Sequence, residues 1–216
     1  MEALLNYLAD QGDRLFGLTL EHAAIVLVAV TFATIIGVTT GVLTYRTNAP
    51  RQAALRITGV FLTIPSFALF GLLVPFLGLG TTPAVVALIM YGLLPIVRNT
   101  IVGLRSVDPA VVESAQGMGM GRYRRLLRIE LPLAWPIVIT GIRVSAVIIV
   151  GIAAIAAVVN GPGLGREIFR ALERFGTPTS VPQVLSAILG IIIIAILIDL
   201  AFVLVARLTT SKGTRA

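Results

Sequence analysis

Few of the 216 residues can do chemistry. There is no cysteine, which removes disulfides, thiolate nucleophiles and cysteine metal sites together. The single histidine, His22, stands beside Glu21 at the edge of an apolar run, where an interfacial anchor is expected rather than a ligand or a base. No nucleophile sits with a base, and no carboxylate pair or metal-ligand cluster points to a common cleft. No catalytic residue, metal site or cofactor is therefore assigned to this chain. Two kinds of chemistry remain. The first is electrostatic: Arg143 and Asp199 are the only ionisable residues deep within long apolar runs, and a charge in hydrocarbon demands a partner. The second is docking: residues 113–132, ESAQGMGMGRYRRLLRIELP, make a polar island rich in arginine and glycine between apolar stretches.

The elements that position these groups follow from composition. Hydrophobic residues make up 57% of the chain and charged ones 12%, with a mean hydropathy of +0.99, which describes an all-α polytopic membrane protein. The formal charge of +7 would suggest nucleic acid in a soluble protein. Here the arginines flank apolar runs, as the positive-inside bias requires, and no nucleic-acid partner is expected. The first residues carry acids where a cleavable signal carries lysine or arginine, so the N-terminus is expected to be retained.

Residues 1–216 read as one transmembrane domain with about five spans. An acidic, partly amphipathic tail or helix over 1–22 is expected outside, and 23–45 is uncharged and long enough to cross. Gly37 and Gly41 give this span a small-residue face for close helix packing. Span two, 57–79, is interrupted by Thr63-Ile64-Pro65-Ser66 and by Pro75, which predict kinks satisfied by neighbouring helices or by water. Span three runs from Pro83 to about residue 104. Span four begins near Trp135, a candidate interfacial residue, and ends at Val159. An outer loop over 161–181 opens on NGPGLG, which lacks the Gly-Lys-Ser/Thr of a phosphate loop and reads as a turn. Within it Ile168, Ala171, Leu172 and Phe175 recur at helical spacing opposite Arg166, Arg170, Glu173 and Arg174, predicting a short amphipathic helix. Span five covers 184–206, and a cytoplasmic tail over 207–216 carries Arg207, Lys212 and Arg215. Twelve basic residues fall on one side of this topology and four on the other, which places the N-terminus out and the C-terminus in.

In the island itself, Asp108-Pro109 has the chemistry of a helix start, an N-cap acceptor followed by proline at the first helical position. That helix passes Glu113 and Ala115 and weakens at Gly117, Gly119 and Gly121. A second helix from Arg122 puts Tyr123, Leu126 and Leu127 on one face and Arg122, Arg125 and Arg128 on another, and is expected to stop at Leu131-Pro132. The result is a helical hairpin with an apolar knob and a charged rim, the form of a docking element.

At these residues the chain resembles a known family. Glu113, Ala115, Gly119, Ile129, Leu131 and Pro132 match the EAA loop of ABC importer permeases, with Ser114 in place of the first alanine. The stretches TIPSFALFGLLVPFLGLG, YGLLPIVRNT, VDPAVVESAQGMGM, ELPLAWPIVITGIR and GPGLG are similar to permeases of osmoprotectant uptake systems, and span most of residues 63–165. The resemblance implies a type I ABC importer permease fold in the cell membrane of a prokaryote. It implies glycine betaine, carnitine or choline as substrate, and ATP bound by a partner rather than here. It also implies three partners: an ABC ATP-binding subunit dimer that receives residues 108–132, a second permease subunit of the same or a related chain, and an extracytoplasmic substrate-binding protein. An importer for another small polar solute such as an amino acid is the alternative within transport. A lipid-binding channel or sensor is the alternative outside it, though a sensor has no need of the spacing from Gly119 to Leu131-Pro132.

Depth arithmetic pairs the two buried charges. Arg143 is about nine residues from the inner start of span four and Asp199 about eight from the inner end of span five, so at roughly 1.5 Å per residue both lie at similar depth. An interhelical salt bridge is expected; the alternative is an Arg143 that snorkels inward and an Asp199 facing a wet cavity. The candidates for lining a pathway are Thr63, Ser66, Tyr91, Asn99, Thr100, Ser145 and Asn160, each of which can equally cap a carbonyl or bridge helices.

Overall fold

Uninterrupted apolar sequence forces the backbone to satisfy its own hydrogen bonds, and the chain responds with helices throughout. The computed structural model describes residues 2–209, so Lys212 and Arg215 of the expected tail lie outside the described residues. In chain order the elements are α1 (Glu2–Thr44), α2 (Asn48–Thr63), α3 (Ser66–Leu77), α4 (Thr81–Arg105), α5 (Pro109–Gly117), α6 (Arg122–Arg125), α7 (Leu131–Ala153), α8 (Gly165–Glu173) and α9 (Ser180–Thr209). A π-helical turn, Leu126–Glu130, joins α6 to α7, and a 3-10 segment, Ala154–Val159, ends α7.

Four stretches are long and apolar enough to cross a membrane: α1, α4, the run Arg122–Val159, and α9. The stretch expected as span two is not one rod, and it adds a fifth crossing only if α2 and α3 together count as one span. α2 and α3 meet at 102° across Ile64-Pro65, so the kink expected there is a sharp corner. Pro65 explains it, because the residue before a proline is driven out of helical geometry; Ile64 is extended at φ −73 and ψ 128. Tyr91 then donates to the Ile64 carbonyl at 2.6 Å, occupying an acceptor the break leaves free.

α4 is the axis of the bundle, packed chiefly against α1 and α7, with Ala84, Ala87, Leu88, Ile96 and Val97 fully buried along it. Glycine permits the closest approach. A Cβ added at Gly41 would sit 2.6 Å from the Thr100 side chain, and one at Gly141 2.6 Å from that of Asn99.

Several expectations are corrected by long-range packing. No separate tail occupies residues 1–22, because α1 runs unbroken for 43 residues, roughly 64 Å at 1.5 Å per residue. Its first half lies along α8 and α9. His22 is not an interfacial anchor: it is fully buried, with Nε2 3.1 Å from the Val150 carbonyl and the backbone of Gly163 packed over the ring. α8 forms where expected, but its faces differ from the periodic reading. Ala171 is buried, whereas Leu172 and Phe175 are exposed and Glu167 is fully buried.

Candidate functional site

The helical hairpin is built as its capping chemistry demands. The Asp108 carboxylate accepts from the Ala110 amide at 2.8 Å, and Pro109 opens α5. Glu113 is exposed on α5 and Ala115 is buried beneath it. The chain then reverses through Gly117, Gly119 and Gly121, all exposed. Gly119 has φ +76, in the left-handed region that a side chain disfavours, and its amide returns to the Gln116 carbonyl at 2.8 Å. α6 follows. The apolar surface this hairpin presents includes Val111 on α5 and, around the turn, Met118, Tyr123 and Leu127, of which Tyr123 is 81% exposed. Leu126, Ile129 and Leu131 are half-buried, Leu126 and Leu131 against the core.

The second helix does not stop at Leu131-Pro132, as its proline suggests. It continues through the π turn into α7, where Leu131 donates back five residues to the Leu126 carbonyl. Proline is tolerated at this position because the widened turn absorbs the missing donor. The hairpin is thus continuous with a span.

A buried ionic cluster locks it in place, and periodicity gave no sign of it. Glu130, 3% exposed, accepts from the Tyr45 hydroxyl at 2.5 Å, from Arg125 Nε at 2.8 Å and from Arg46 Nη2 at 2.8 Å. Arg46 also donates to the Tyr45 hydroxyl. Arg125, expected on the charged rim, is therefore buried. Burial works against the charged form of Glu130, but donation from Tyr45, Arg125 and Arg46 outweighs it and holds the carboxyl below the usual range. Burial and the neighbouring carboxylate raise the Tyr45 phenol in turn. The cluster ties the α1–α2 turn, α6 and the start of α7 into one block. A displacement of the hairpin is therefore shared with the ends of α1 and α7.

The spacing of this hairpin within a helical chain of four to five crossings invites comparison with known proteins. A family model described as binding-protein-dependent transport system inner membrane component matches residues 16–211. The chain belongs to that family. It is thus a permease of the ABC type, a membrane component whose family places ATP hydrolysis in a partner. The permease is 34% identical over 213 residues to the glycine betaine/carnitine/choline transport system permease protein OpuCB of Bacillus subtilis, covering 99% of this chain and 96% of that one. It is 37% identical over 216 residues to the osmoprotectant import permease protein OsmW of Salmonella typhimurium, covering 98% and 99%. Among solved structures it superposes on a chain of the inward-facing MetNI methionine ABC transporter with a TM-score of 0.79 at 23% identity, over 91% of this chain and 96% of that one, a likeness of fold.

Within the spans of the permease, Arg143 on α7 meets Asp199 on α9. Arg143 Nη2 lies 2.7 Å from Asp199 Oδ2, and Nε contacts Oδ1. Of the pathway candidates, Tyr91, Thr100 and Ser145 are buried between helices of this chain, with Ser145 donating to the Gly92 carbonyl at 2.9 Å. Asn99 is half-buried and donates to the Pro95 carbonyl at 2.8 Å; Ser66 is half-buried; Thr63 is exposed and donates to the Val60 carbonyl at 2.7 Å. Asn160 is exposed at the end of the 3-10 segment.

A second cluster missed from sequence lies at the bundle end remote from the hairpin. Glu167 accepts from Tyr7 at 2.9 Å, from Gln183 at 3.1 Å, from Arg170 at 3.2 Å and from Arg14, fastening α8 to both α1 and α9. No signal local to 161–181 announces it, since Tyr7 is 160 residues away.

Proposed function

We propose that this permease forms the translocation pathway of an ATP-driven importer of osmoprotectants such as glycine betaine, carnitine or choline, and is itself non-catalytic. The observation that carries the coupling role is the exposed Met118, Tyr123 and Leu127 surface on a hairpin clamped through Glu130. An ATP-binding subunit dimer docks on that surface, with Glu113, Ala115, Gly117, Gly119, Gly121, Tyr123, Leu126, Ile129, Leu131 and Pro132 shaping the contact. Closure of the dimer pushes the hairpin, and the Glu130 cluster passes the push to α1, α2 and α7. The hairpin end faces the cytoplasm, in keeping with its arginines. A second permease copy or related subunit completes the pathway, and an extracytoplasmic binding protein delivers solute to the opposite end. Solute class is supported by the full-length likeness to OpuCB and OsmW.

The test is uptake of labelled glycine betaine, choline and carnitine by a strain stripped of its own osmolyte importers and supplied with this chain and its cognate ATP-binding and solute-binding subunits. Import of at least one solute, with the ATP-binding subunit co-purifying, is expected. Absence of import for all three overturns the substrate reading, and a permease that purifies alone overturns the docking reading.

A further inference from the structure

At the end remote from the hairpin, a cavity of about 380 Å³ opens between the 3-10 segment and α8. It is lined by Ala157, Asn160, Arg166, Phe169, Arg170 and Glu173. This set divides into two chemistries. Arg166 and Arg170 are cationic forks. Arg166 spends one donor on the Gly161 carbonyl and one on Glu21, and Arg170 spends one on Glu167, which leaves the remaining guanidinium N–H groups for an anion. Phe169 is half-buried and Glu173 is exposed with no partner among the described residues, so an aromatic ring and a free carboxylate border the same space. Together they fit a small zwitterion, its carboxylate toward the arginines and its onium head toward Phe169 and Glu173.

Two further observations mark the cavity as a built feature. Asn160 is the only non-glycine among the described residues with positive φ, at φ 59 and ψ 27, and this left-handed cap ends the 3-10 segment at the cavity rim. α8 is held rigidly at the cavity wall, because Glu167, one residue from Arg166 and two from Phe169, is fully buried in a four-donor cluster. The arginines are therefore presented on a fixed helix rather than a loose loop.

We propose that this cavity is a reception site on the permease itself for a zwitterionic trimethylammonium solute, occupied between release from the binding protein and passage into the spans. The proposal rests on the osmoprotectant reading above. Arg170 holds the carboxylate, Phe169 faces the methylated nitrogen, and Glu173 offsets its charge.

Choline separates the two halves of the site, because it carries the onium head without the carboxylate. Maximal uptake rates of glycine betaine and choline are measured in proteoliposomes of the full transporter, with saturated binding protein, for wild type and variants. Phe169→Ala is expected to cut both rates about tenfold, between the sizes of an exposed and a desolvated cation–π contact, while Phe169→Trp retains them. Arg170→Gln is expected to lower the betaine-to-choline rate ratio about tenfold, a readout that cancels any change in folding or abundance. An unchanged ratio in Arg170→Gln, or full rates in Phe169→Ala, overturns the site while leaving the importer reading intact. A wild type that carries neither solute removes both. Equal loss for both solutes in Arg170→Gln, with weaker binding-protein association, makes the patch a protein-docking surface and also overturns it.

Discussion

Arg143 and Asp199 grip each other through two parallel contacts across α7 and α9, with 45% and 33% of their side chains still exposed in the single chain. Packing within this chain does not shield either charge, so each depends on the other. Asp199→Asn leaves the Arg143 guanidinium without its counter-charge inside a span. The melting temperature of purified permease in lipid discs is expected to fall, and Arg143→Gln to do the same. The double variant is expected to recover part of the loss. Strictly additive losses would show that the two residues are not coupled.

Glu130→Gln is expected to loosen the block formed by Tyr45, Arg46 and Arg125, because it leaves the buried Arg125 without a counter-charge. Breaking a buried pair in this way costs about 3–5 kcal/mol. The wild-type contribution has a definite pH sense. The Glu130 carboxyl is held below its ordinary value, so the stabilisation is present above the unfolded value of about 4.3 and is lost as pH falls through the lower folded one. Thermal unfolding between pH 3 and 7 checks this: wild type should lose stability on acidification by more than Glu130→Gln does, and parallel curves would refute it.

Gly119→Val replaces a residue at φ +76 with one that resists left-handed geometry, at about 1–2 kcal/mol. The strain falls on an exposed turn, so the bundle should keep its melting temperature while retention of the ATP-binding subunit drops at least fivefold. Unchanged co-purification would mean that the turn's shape is irrelevant to docking.

Tyr123→Ala and Leu127→Ala remove side chains 81% and 63% exposed, so the isolated permease should be nearly as stable as wild type. Interface aromatics truncated to alanine commonly cost about 2 kcal/mol or more of binding, so association with the ATP-binding subunit is expected to weaken more than tenfold for Tyr123→Ala. Titration of that subunit onto immobilised permease measures it.

Local chemistry was legible in the sequence, and distant chemistry was not. The Asp108 cap on Ala110, the Gly41 contact face and the corner at Pro65 each depend on neighbours within a few residues or on a missing side chain, and each could be read directly. Glu130, Glu167 and His22 are buried by partners 85, 160 and 128 residues away, respectively, and a periodicity argument cannot see those. Pro132 misled for a different reason. Proline ends an α-helix when the ring meets a tight turn, but the wider Leu126–Glu130 turn lets the helix pass. α8 misled because its apolar periodicity is real, yet the carboxylate of Glu167, one residue before that series, found four donors and took the inside.

The π turn has a mechanical consequence. Because it joins without breaking, Arg122–Val159 is a single 38-residue stretch, roughly 55 Å from end to end, with Tyr123 near one tip and Asn160 just beyond the other. α4 meshes with this beam at Ala134, Gly141 and Ser145, so the beam has no single fulcrum and the two rods are geared together along their length.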